Sequence, residues 1–244
     1  MTLARRRITI VLMDSSKYYR YLRDEAAIKT IEARAFRVSR LTELNDPFEW
    51  HIGFEGTPLG MEDEYERVLM DGFREQANRR MGIICFSKEI KDPVLWSHYT
   101  NIHRGIAFAV NMDVNPHLIS NLQKVDYDKP PVVIPIQLFK QMTEIQKLEM
   151  IKDLHKQKSS SWRYEQEFRL VMALNECRPS GGSYLWDKMP PSFITHAIIG
   201  FRSSVSEQYL RQALDLNGFQ HTQVLKAKRS RTTYEIKLEP TTKI

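Results

Sequence analysis

Cysteine, long apolar segments and glycine-rich motifs are scarce in this 244-residue chain, and each shortage excludes a class of protein. The two cysteines, Cys85 and Cys177, have neither a Cys-x-x-Cys partner nor a Cys/His neighbour, so we expect free thiols and no metal site. The apolar runs are far too short to cross a bilayer, and the basic N-terminus lacks the pattern of a secretory signal. These absences predict a cytoplasmic protein without membrane contact.

The sequence also lacks the glycine motifs of the common nucleotide-binding folds. Its 10 glycines form neither a Gly-x-Gly-x-x-Gly motif nor a phosphate loop. Predicted strands are short and interspersed with helices without strict βαβ alternation, which favours an α+β fold over a Rossmann sheet. We therefore predict mixed, mostly antiparallel, short-stranded sheets flanked by helices. An N-terminal extension over residues 1–15 should precede a single α+β domain over residues 16–244.

Hydrophobic spacing assigns the polar motifs to particular elements. Asp92-Pro93 is typical of a helix start and predicts a helix over residues 94–102. A longer helix is expected over residues 139–158, and a strand over residues 165–173. These three elements contain most of the side chains that are suited to chemistry.

A net charge of +6 results from local clusters of basic residues. Two clusters lie at residues 5–7 and 152–158. A third, in a predicted turn between two closing strands, consists of Lys226, Lys228, Arg229 and Arg231. Basic surfaces attract phosphate-bearing partners, so these four residues are candidates for nucleic-acid contacts. A solvated basic face without a partner fits the charge equally well.

The segment Tyr18-Tyr19-Arg20-Tyr21 combines aromatic rings with a guanidinium group. Strand alternation puts Tyr19 and Tyr21 on one face and Arg20 on the other. Aromatic faces can stack on a base or on nicotinamide, and arginine can bind a phosphate. Spacing alone favours the simpler interpretation, an edge strand with half-buried tyrosines.

Asn45-Asp46-Pro47 predicts a turn that side chains hold through bonds to the backbone. The residue before proline is extended, and the chain can become helical after it. A capped turn is the favoured interpretation of this segment. Asp46 could also orient a neighbouring catalytic group.

Aromatic and histidine side chains are concentrated in the helix predicted after Pro93. On a helical surface Trp96 and Tyr99 share a face, and His103 follows one turn later. A purely structural stripe would more often consist of leucine and isoleucine. The composition therefore favours a ligand-facing role for this side of the helix.

The segment Glu165-Gln166-Glu167-Phe168-Arg169 carries two carboxylates at strand spacing. Alternation puts Glu165, Glu167 and Arg169 on one face, with the two carboxylates able to flank one reacting centre. Arg169 could hold one of them ionised or bind a phosphate. The pattern alone favours an exposed face with ion pairs.

Taken in order, these motifs resemble a bacterial family known as domain of unknown function 2971. The resemblance is carried by Tyr19-Arg20-Tyr21, Asn45-Asp46-Pro47-Phe48, Phe86-Ser87, Leu95-Trp96-Ser97-His98-Tyr99, His103-Arg104-Gly105, Val125-Asp126-Tyr127, Trp162-x-Tyr164-Glu165-x-Glu167-Phe168-Arg169 and Ile198-Ile199-Gly200. They span nearly the whole chain. The family implies a single domain from about residue 16, and its name implies no activity.

The order of motifs is also similar to that of the ADP-ribosyltransferase superfamily, in which an Arg or His strand, a Ser or Tyr strand and a Glu-x-Glu strand follow one another. Arg20, Ser87 (or Tyr99) and Glu165-x-Glu167 would fill these positions. The aromatic helix, the Asn45-Asp46-Pro47 turn and Arg169 depart from the superfamily pattern. The similarity implies NAD as substrate, an ADP-ribosyltransferase or NAD glycohydrolase activity without metal, and a role as a toxin or in phage defence.

This resemblance implies roles for individual residues. Glu167 would stabilise the cationic transition state at the ribose, while Glu165 would position or deprotonate the acceptor. The catalytic set that it implies is Glu167, Glu165 and His98. The cofactor-binding set is Arg20, Tyr21, Asn45, Asp46, Ser87, Trp96, Tyr99, Arg104 and Arg169. Nucleic acid or protein would be the acceptor.

Two other functions fit the sequence. One is a nucleic-acid-binding or nucleic-acid-modifying module that uses the basic turn and aromatic stacking, without NAD chemistry. The other is a non-enzymatic domain that binds a partner, in which the motifs serve stability.

Overall fold

The computed structural model of the protein describes residues 17–56 and 62–241. The predicted extension over residues 1–15 and its basic cluster lie outside the described residues. The helices are α1 (Asp24–Ala33), α2 (Glu62–Arg80), α3 (Pro93–Tyr99), α4 (Pro116–Asn121), α5 (Ile136–Gln141), α6 (Glu144–Leu154) and α7 (Glu207–Leu216). None of these helices is long and apolar enough to cross a membrane.

The strands are short, as predicted. They are β1 (Lys17–Leu22), β2 (Phe36–Val38), β3 (Ile52–Glu55), β4 (Met81–Ser87), β5 (Ile106–Asn111), β6 (Leu122–Lys124), β7 (Val132–Pro135), β8 (Glu167–Ala173), β9 (Arg178–Ser180), β10 (Ser183–Trp186), β11 (Ile194–Ile199), β12 (Gln223–Arg229) and β13 (Ile236–Pro240).

Eight of the strands form one sheet in the order β13-β12-β11-β5-β1-β4-β8-β6. Its pairs are antiparallel except β11 with β12. Two smaller sheets, β2-β10-β9 and β3-β7, lie outside it. The predicted α+β class with mixed, mostly antiparallel sheets is therefore confirmed.

The main sheet is open at its centre, between β1 and β4. β1 pairs with β5 at six consecutive positions but with β4 at one, Tyr19 opposite Ser87. Beyond that pair the Arg20 side chain bridges the gap, because its Nη1 donates to the backbone oxygen of Cys85 at 2.8 Å. A side chain thus replaces a backbone ladder, and the two parts of the sheet can border a cleft. The predicted edge position of β1 is wrong, since β1 lies inside the sheet.

Apolar packing covers the two faces of the sheet differently. On one face, α1 and α7 pack over a core that includes Ile31, Phe108 and Leu210. On the other, α3 lies over β1 and inserts Trp96, whose ring meets Tyr21 edge to face at 5.3 Å. A third cluster around α2, α5 and α6 packs against β3 and β4. These separate cores hold the polar segments between them in fixed positions.

Three predicted boundaries are wrong. The expected helix over residues 139–158 is two helices, because Met142 is extended (ψ 133°) and Thr143 starts α6 with a capping box to Gln146. α3 ends at Tyr99 and does not reach Ile102. β8 begins at Glu167, because residues up to Glu165 form a 3₁₀ helix.

Gly105 provides a test of this packing. An alanine Cβ there would lie 2.0 Å from the backbone oxygen of Leu22, so we expect Gly105→Ala to lower the free energy of unfolding by about 3 kcal/mol or more. Gly72→Ala is the matched control, since nothing lies within 4 Å of that position in α2 and alanine should stabilise the helix by roughly 0.5–1 kcal/mol. Urea denaturation measures both, and equal stability of the two variants would contradict the close approach.

Candidate functional site

A cleft of about 430 Å³ lies at the opening between β1 and β4. Its walls come from β1, β4, α3, the turn around Asn45 and the start of β8. That volume is within the range of roughly 300–1,000 Å³ typical of small-molecule sites. Three basic residues lie in the wall: Arg20 on β1, Arg23 directly after it and Arg37 on β2. Acidic residues Glu165 and Glu167 lie near the level of Ser87, which pairs with Glu167.

Arg169 is the centre of a buried ion network behind this cleft. Its side chain is completely buried and binds two carboxylates in bidentate fashion: Glu167 through Nε and Nη2, both at 2.9 Å, and Glu49 through Nη1 at 2.9 Å and Nη2 at 2.6 Å. Nη1 also donates to the backbone oxygen of His155 at 2.9 Å. Arginine has five N–H groups, and these contacts use them all. The predicted phosphate-binding role of Arg169 is therefore replaced by a structural one.

Lys158 joins the same network from the segment after α6. Its Nζ lies 2.7 Å from Glu165, 3.3 Å from Glu167 and 3.5 Å from Glu49. Trp162 covers the ammonium group, with its ring centroid 4.7 Å away. Sequence reasoning missed both Lys158 and Glu49. The available signal in the sequence was that Lys158 ends the basic cluster over residues 152–158 and lies only four residues before Trp162.

The two carboxylates differ in ionisation although they share Lys158. Burial raises the pKa of Glu165, and Lys158 offsets only part of this shift. Burial acts in the same direction on Glu167, but Arg169 and Lys158 outweigh it and lower its pKa to about 2. Glu167 is thus held as a carboxylate, while Glu165 can take up a proton more readily. Pairs with divergent pKa values are the usual arrangement for acid–base chemistry.

Hydrogen bonds fix the orientation of Glu165. The hydroxyl of Tyr99 donates to its Oε1, and Asn45 Nδ2 donates to the same hydroxyl at 2.9 Å. Ser87 Oγ donates to the Glu165 backbone oxygen at 2.5 Å. Gln166 takes up a left-handed conformation (φ 45°) between the two acids, so both reach Lys158. The predicted convergence of Glu165 and Glu167 occurs, but strand alternation is not its cause.

Aromatic side chains surround His98 at the exposed rim of the cleft. Its Nδ1 lies 3.1 Å from the hydroxyl of Tyr164, and its ring centroid is 6.4 Å from that of Trp162. Tyr99 packs against it from the same helix at 6.3 Å. His98 therefore lines the cleft together with Tyr99. The helix pattern had instead grouped Tyr99 with Trp96 and His103, and neither of those two lines the cleft.

Arg20 lines the cleft and still has free hydrogen-bonding capacity. One nitrogen donates to Cys85, but its Nε is buried without a hydrogen-bond partner. No carboxylate among residues 17–56 and 62–241 forms an ion pair with it. Burial lowers its pKa, because the charged guanidinium group is less stable away from water. A bound anion would stabilise this charge.

Three predicted site residues, Trp96, Asp46 and Arg104, do not line the cleft. Trp96 is in the core beneath α3, where its Nε1 donates to the Ile90 oxygen at 2.7 Å. Asp46 caps its turn by accepting from the Phe48 amide at 2.9 Å, as favoured above. Arg104 is exposed and does not line the cleft. Tyr21 lines it, although its hydroxyl is committed to the Glu89 oxygen at 2.7 Å.

The four basic residues of the β12 region are exposed but do not form one surface. Lys226 and Lys228 share one face of β12, and Lys228 is paired with Glu239. Arg229 is on the opposite face, near Phe201. Arg231 follows in the turn. Among the described residues, no histidine, cysteine and acidic side chains group into a metal-ligand set.

Residues 95–170 match the family described as Protein of unknown function (DUF2971). The resemblance to that family is therefore confirmed over this range. The matched range contains Tyr99, Lys158, Glu165, Glu167 and Arg169, which form much of the acidic side of the site. The family description names no activity, and the match does not extend to ADP-ribosyltransferases. No curated protein and no solved structure matches the chain.

The buried network predicts a large cost for the loss of Arg169. Arg169→Met leaves Glu49 and Glu167 buried with incomplete compensation, so we expect the free energy of unfolding to fall by about 3–5 kcal/mol. Lys152→Met is the control, because its ion pair with Glu149 is exposed on both sides and should contribute little. Chemical denaturation distinguishes them. Similar midpoints for both variants would show that the Arg169 network does not stabilise the fold.

Proposed function

We propose that the protein consumes NAD and transfers ADP-ribose to an acceptor or to water. One observation carries the proposal: Tyr19, Ser87 and Glu167 are register partners across three neighbouring strands at the point where the sheet opens. The residues assigned by resemblance to the Arg, Ser and Glu positions thus come from adjacent strands. The charged groups in this cleft have chemistry suited to a dinucleotide.

The basic part of the cleft fits a pyrophosphate. Arg20 has an unpartnered buried Nε, and Arg23 lines the wall after β1. Arg37 also lines the cleft, and its ion pair with Glu43 is partly exposed, so a bound anion can compete for it. Arginine binds phosphates through planar, bidentate hydrogen bonds. These three side chains replace Arg169 as the proposed pyrophosphate ligands.

Glu167 suits the bond-breaking step. When the bond between ribose C1′ and the nicotinamide nitrogen breaks, its electrons go to nicotinamide and positive charge develops on the ribose. A fixed carboxylate near that charge stabilises the transition state, and more so in a site with little water. A pKa of about 2 keeps Glu167 ionised throughout the neutral range. Arg169 and Lys158 hold its position.

Glu165 suits the transfer step. The acceptor forms a bond with C1′ and must lose a proton, which Glu165 can accept. Its raised pKa lies closer to neutrality than that of an ordinary carboxylate, which favours proton transfer. Tyr99 positions the carboxylate by donating to Oε1. His98, at the rim, is placed to contact an acceptor or the nicotinamide ring.

NAD consumption has consequences for the setting of the protein. NAD is abundant inside cells, so the proposal includes a cytoplasmic location. Depletion of NAD, or modification of an essential acceptor, would provide the toxin or phage-defence role that the resemblance implies. Expression from an inducible promoter, followed by measurement of cellular NAD and growth, tests this role.

The activity itself has a direct test. We expect the purified protein to release nicotinamide from NAD, and Glu165→Gln to reduce the rate by about 10²–10⁴-fold. Glu167→Gln should reduce it at least as strongly. Chromatography of the products measures the release, and thermal melts separate loss of activity from unfolding.

Glu149→Gln serves as the control, because this carboxylate forms an exposed ion pair on α6 away from the cleft. It should keep full activity. Absence of nicotinamide release by the wild-type protein with water, nucleic acid and protein acceptors would refute the proposal.

The role of Tyr99 has a distinct pH signature. If ionised Glu165 accepts the proton, kcat/KM falls as pH drops through the pKa of Glu165. The Tyr99 hydroxyl stabilises that ionised form and lowers its pKa, so Tyr99→Phe should shift this acidic limb to higher pH. Tyr164→Phe is the control, since its hydroxyl contacts His98 and not Glu165. A profile unchanged in Tyr99→Phe would exclude Glu165 as the titrating base.

A further inference from the structure

The segment directly after α3 has an unusual backbone. Three consecutive residues, Asn101, Ile102 and His103, have φ values of 51°, 58° and 64°. This left-handed region is unfavourable for side chains other than glycine, and especially for a β-branched one such as Ile102. Non-glycine residues held in such conformations tend to occur at functional sites. This strained loop is therefore a candidate functional element.

A second loop holds the strained backbone in place. The Gly200 amide donates to the Gly105 oxygen at 2.9 Å, and the Arg202 amide donates to the His103 oxygen at 3.0 Å. A Cβ at Gly200 would lie 2.4 Å from the His103 oxygen, so the two backbones are in close contact. These contacts hold Phe201, which follows Gly200, in a fixed position relative to His103.

These two loops and the end of β12 form a cationic aromatic surface, which we call the Phe201 platform and define as His103, Phe201, Arg202 and Arg229. The rings of His103 and Phe201 lie 4.7 Å apart. The guanidinium carbons of Arg202 and Arg229 lie 5.4 Å and 5.9 Å from the Phe201 ring centroid. Both arginines are exposed, and neither has an acidic partner in the described part of the chain.

We propose that the Phe201 platform binds single-stranded nucleic acid. Unpaired arginines attract phosphates, and both guanidinium planes and aromatic rings stack on unpaired bases. Bases in a duplex are already stacked on each other and do not offer such a face. A purely electrostatic partner would require neither the rings nor their fixed arrangement. The strained loop accounts for that arrangement, because it brings His103 against Phe201.

The platform is connected to the cleft through β1. Leu22 pairs with Ile106, so Arg23 follows β1 beside Gly105 and the strained loop. Arg23 lines the cleft, and the exposed Arg104 is the residue between His103 and Gly105 in the sequence. A strand bound on the platform can thus extend toward Glu165. If the proposed NAD chemistry holds, nucleic acid is its acceptor, and that extension rests on the proposed function.

Binding can be tested without NAD. The probe is a fluorescently labelled 20-nucleotide single strand, as DNA and as RNA, with its duplex for comparison, titrated by anisotropy at several salt concentrations. We expect Phe201→Leu to weaken single-strand binding on the order of tenfold with little change in salt dependence. Arg202→Gln combined with Arg229→Gln should weaken it and lower the salt slope by roughly 1.4, since each phosphate contact with a single strand contributes about 0.7.

The matched control is Lys226→Gln combined with Lys228→Gln, which removes the same formal charge from the opposite face of β12. It should leave binding nearly unchanged, and thermal melts should show that every variant is folded. Equal losses in both double variants would show non-specific attraction and overturn the proposal. Preference for the duplex, or equally strong displacement by inorganic polyphosphate, would do the same. Because no NAD is present, the result is independent of whether the proposed function is correct.

Discussion

The double bidentate contact of Arg169 with Glu49 and Glu167 is the interaction on which the site depends. A charged side chain with no solvent exposure is costly unless all of its donors are satisfied, and here two carboxylates and one backbone oxygen satisfy them. The contact joins β8 to the turn after Pro47, 120 residues away in sequence. It also sets the ionisation of Glu167, and through Lys158 it affects that of Glu165. The position of β8 against the turn and the ionisation of the two carboxylates therefore depend on one network.

The opening between β1 and β4 connects this network to the cleft. An uninterrupted ladder would have closed the gap between β1 and β4. With one residue pair between the two strands, the space is bounded by side chains, and Arg20 bonds to the backbone oxygen that a strand partner would otherwise satisfy. Its remaining donor capacity faces the same space as the acidic pair. A bound anion and a developing cation could thus be stabilised a short distance apart.

Sequence reasoning reached the fold class because hydrophobic spacing and turn residues are local signals. It also grouped Glu167 with Arg169 correctly, since strand alternation governs both. It placed Trp96 in the site wrongly, because composition does not show which side of a short helix faces the core. The left-handed turn after Tyr99 could not be foreseen either, as it depends on backbone bonds to the Gly200 loop. Lys158 and Glu49 were missed for the same reason: their pairing is set by tertiary contacts between distant segments.

The segment that carries Lys158 has a further significance for the behaviour of the site. Lys158 follows α6, which belongs to the core around Phe139 and Ile151, whereas Glu165 and Glu167 belong to the sheet side. If α6 detached and carried Lys158 away, two neighbouring carboxylates would lose a shared counter-ion and repel each other, and their combined negative charge would favour the return of Lys158. The acidic side of the pocket is thus coupled to the docking of this helix. A ligand wedged beneath α6 would separate Lys158 from the acidic pair without entering the cleft.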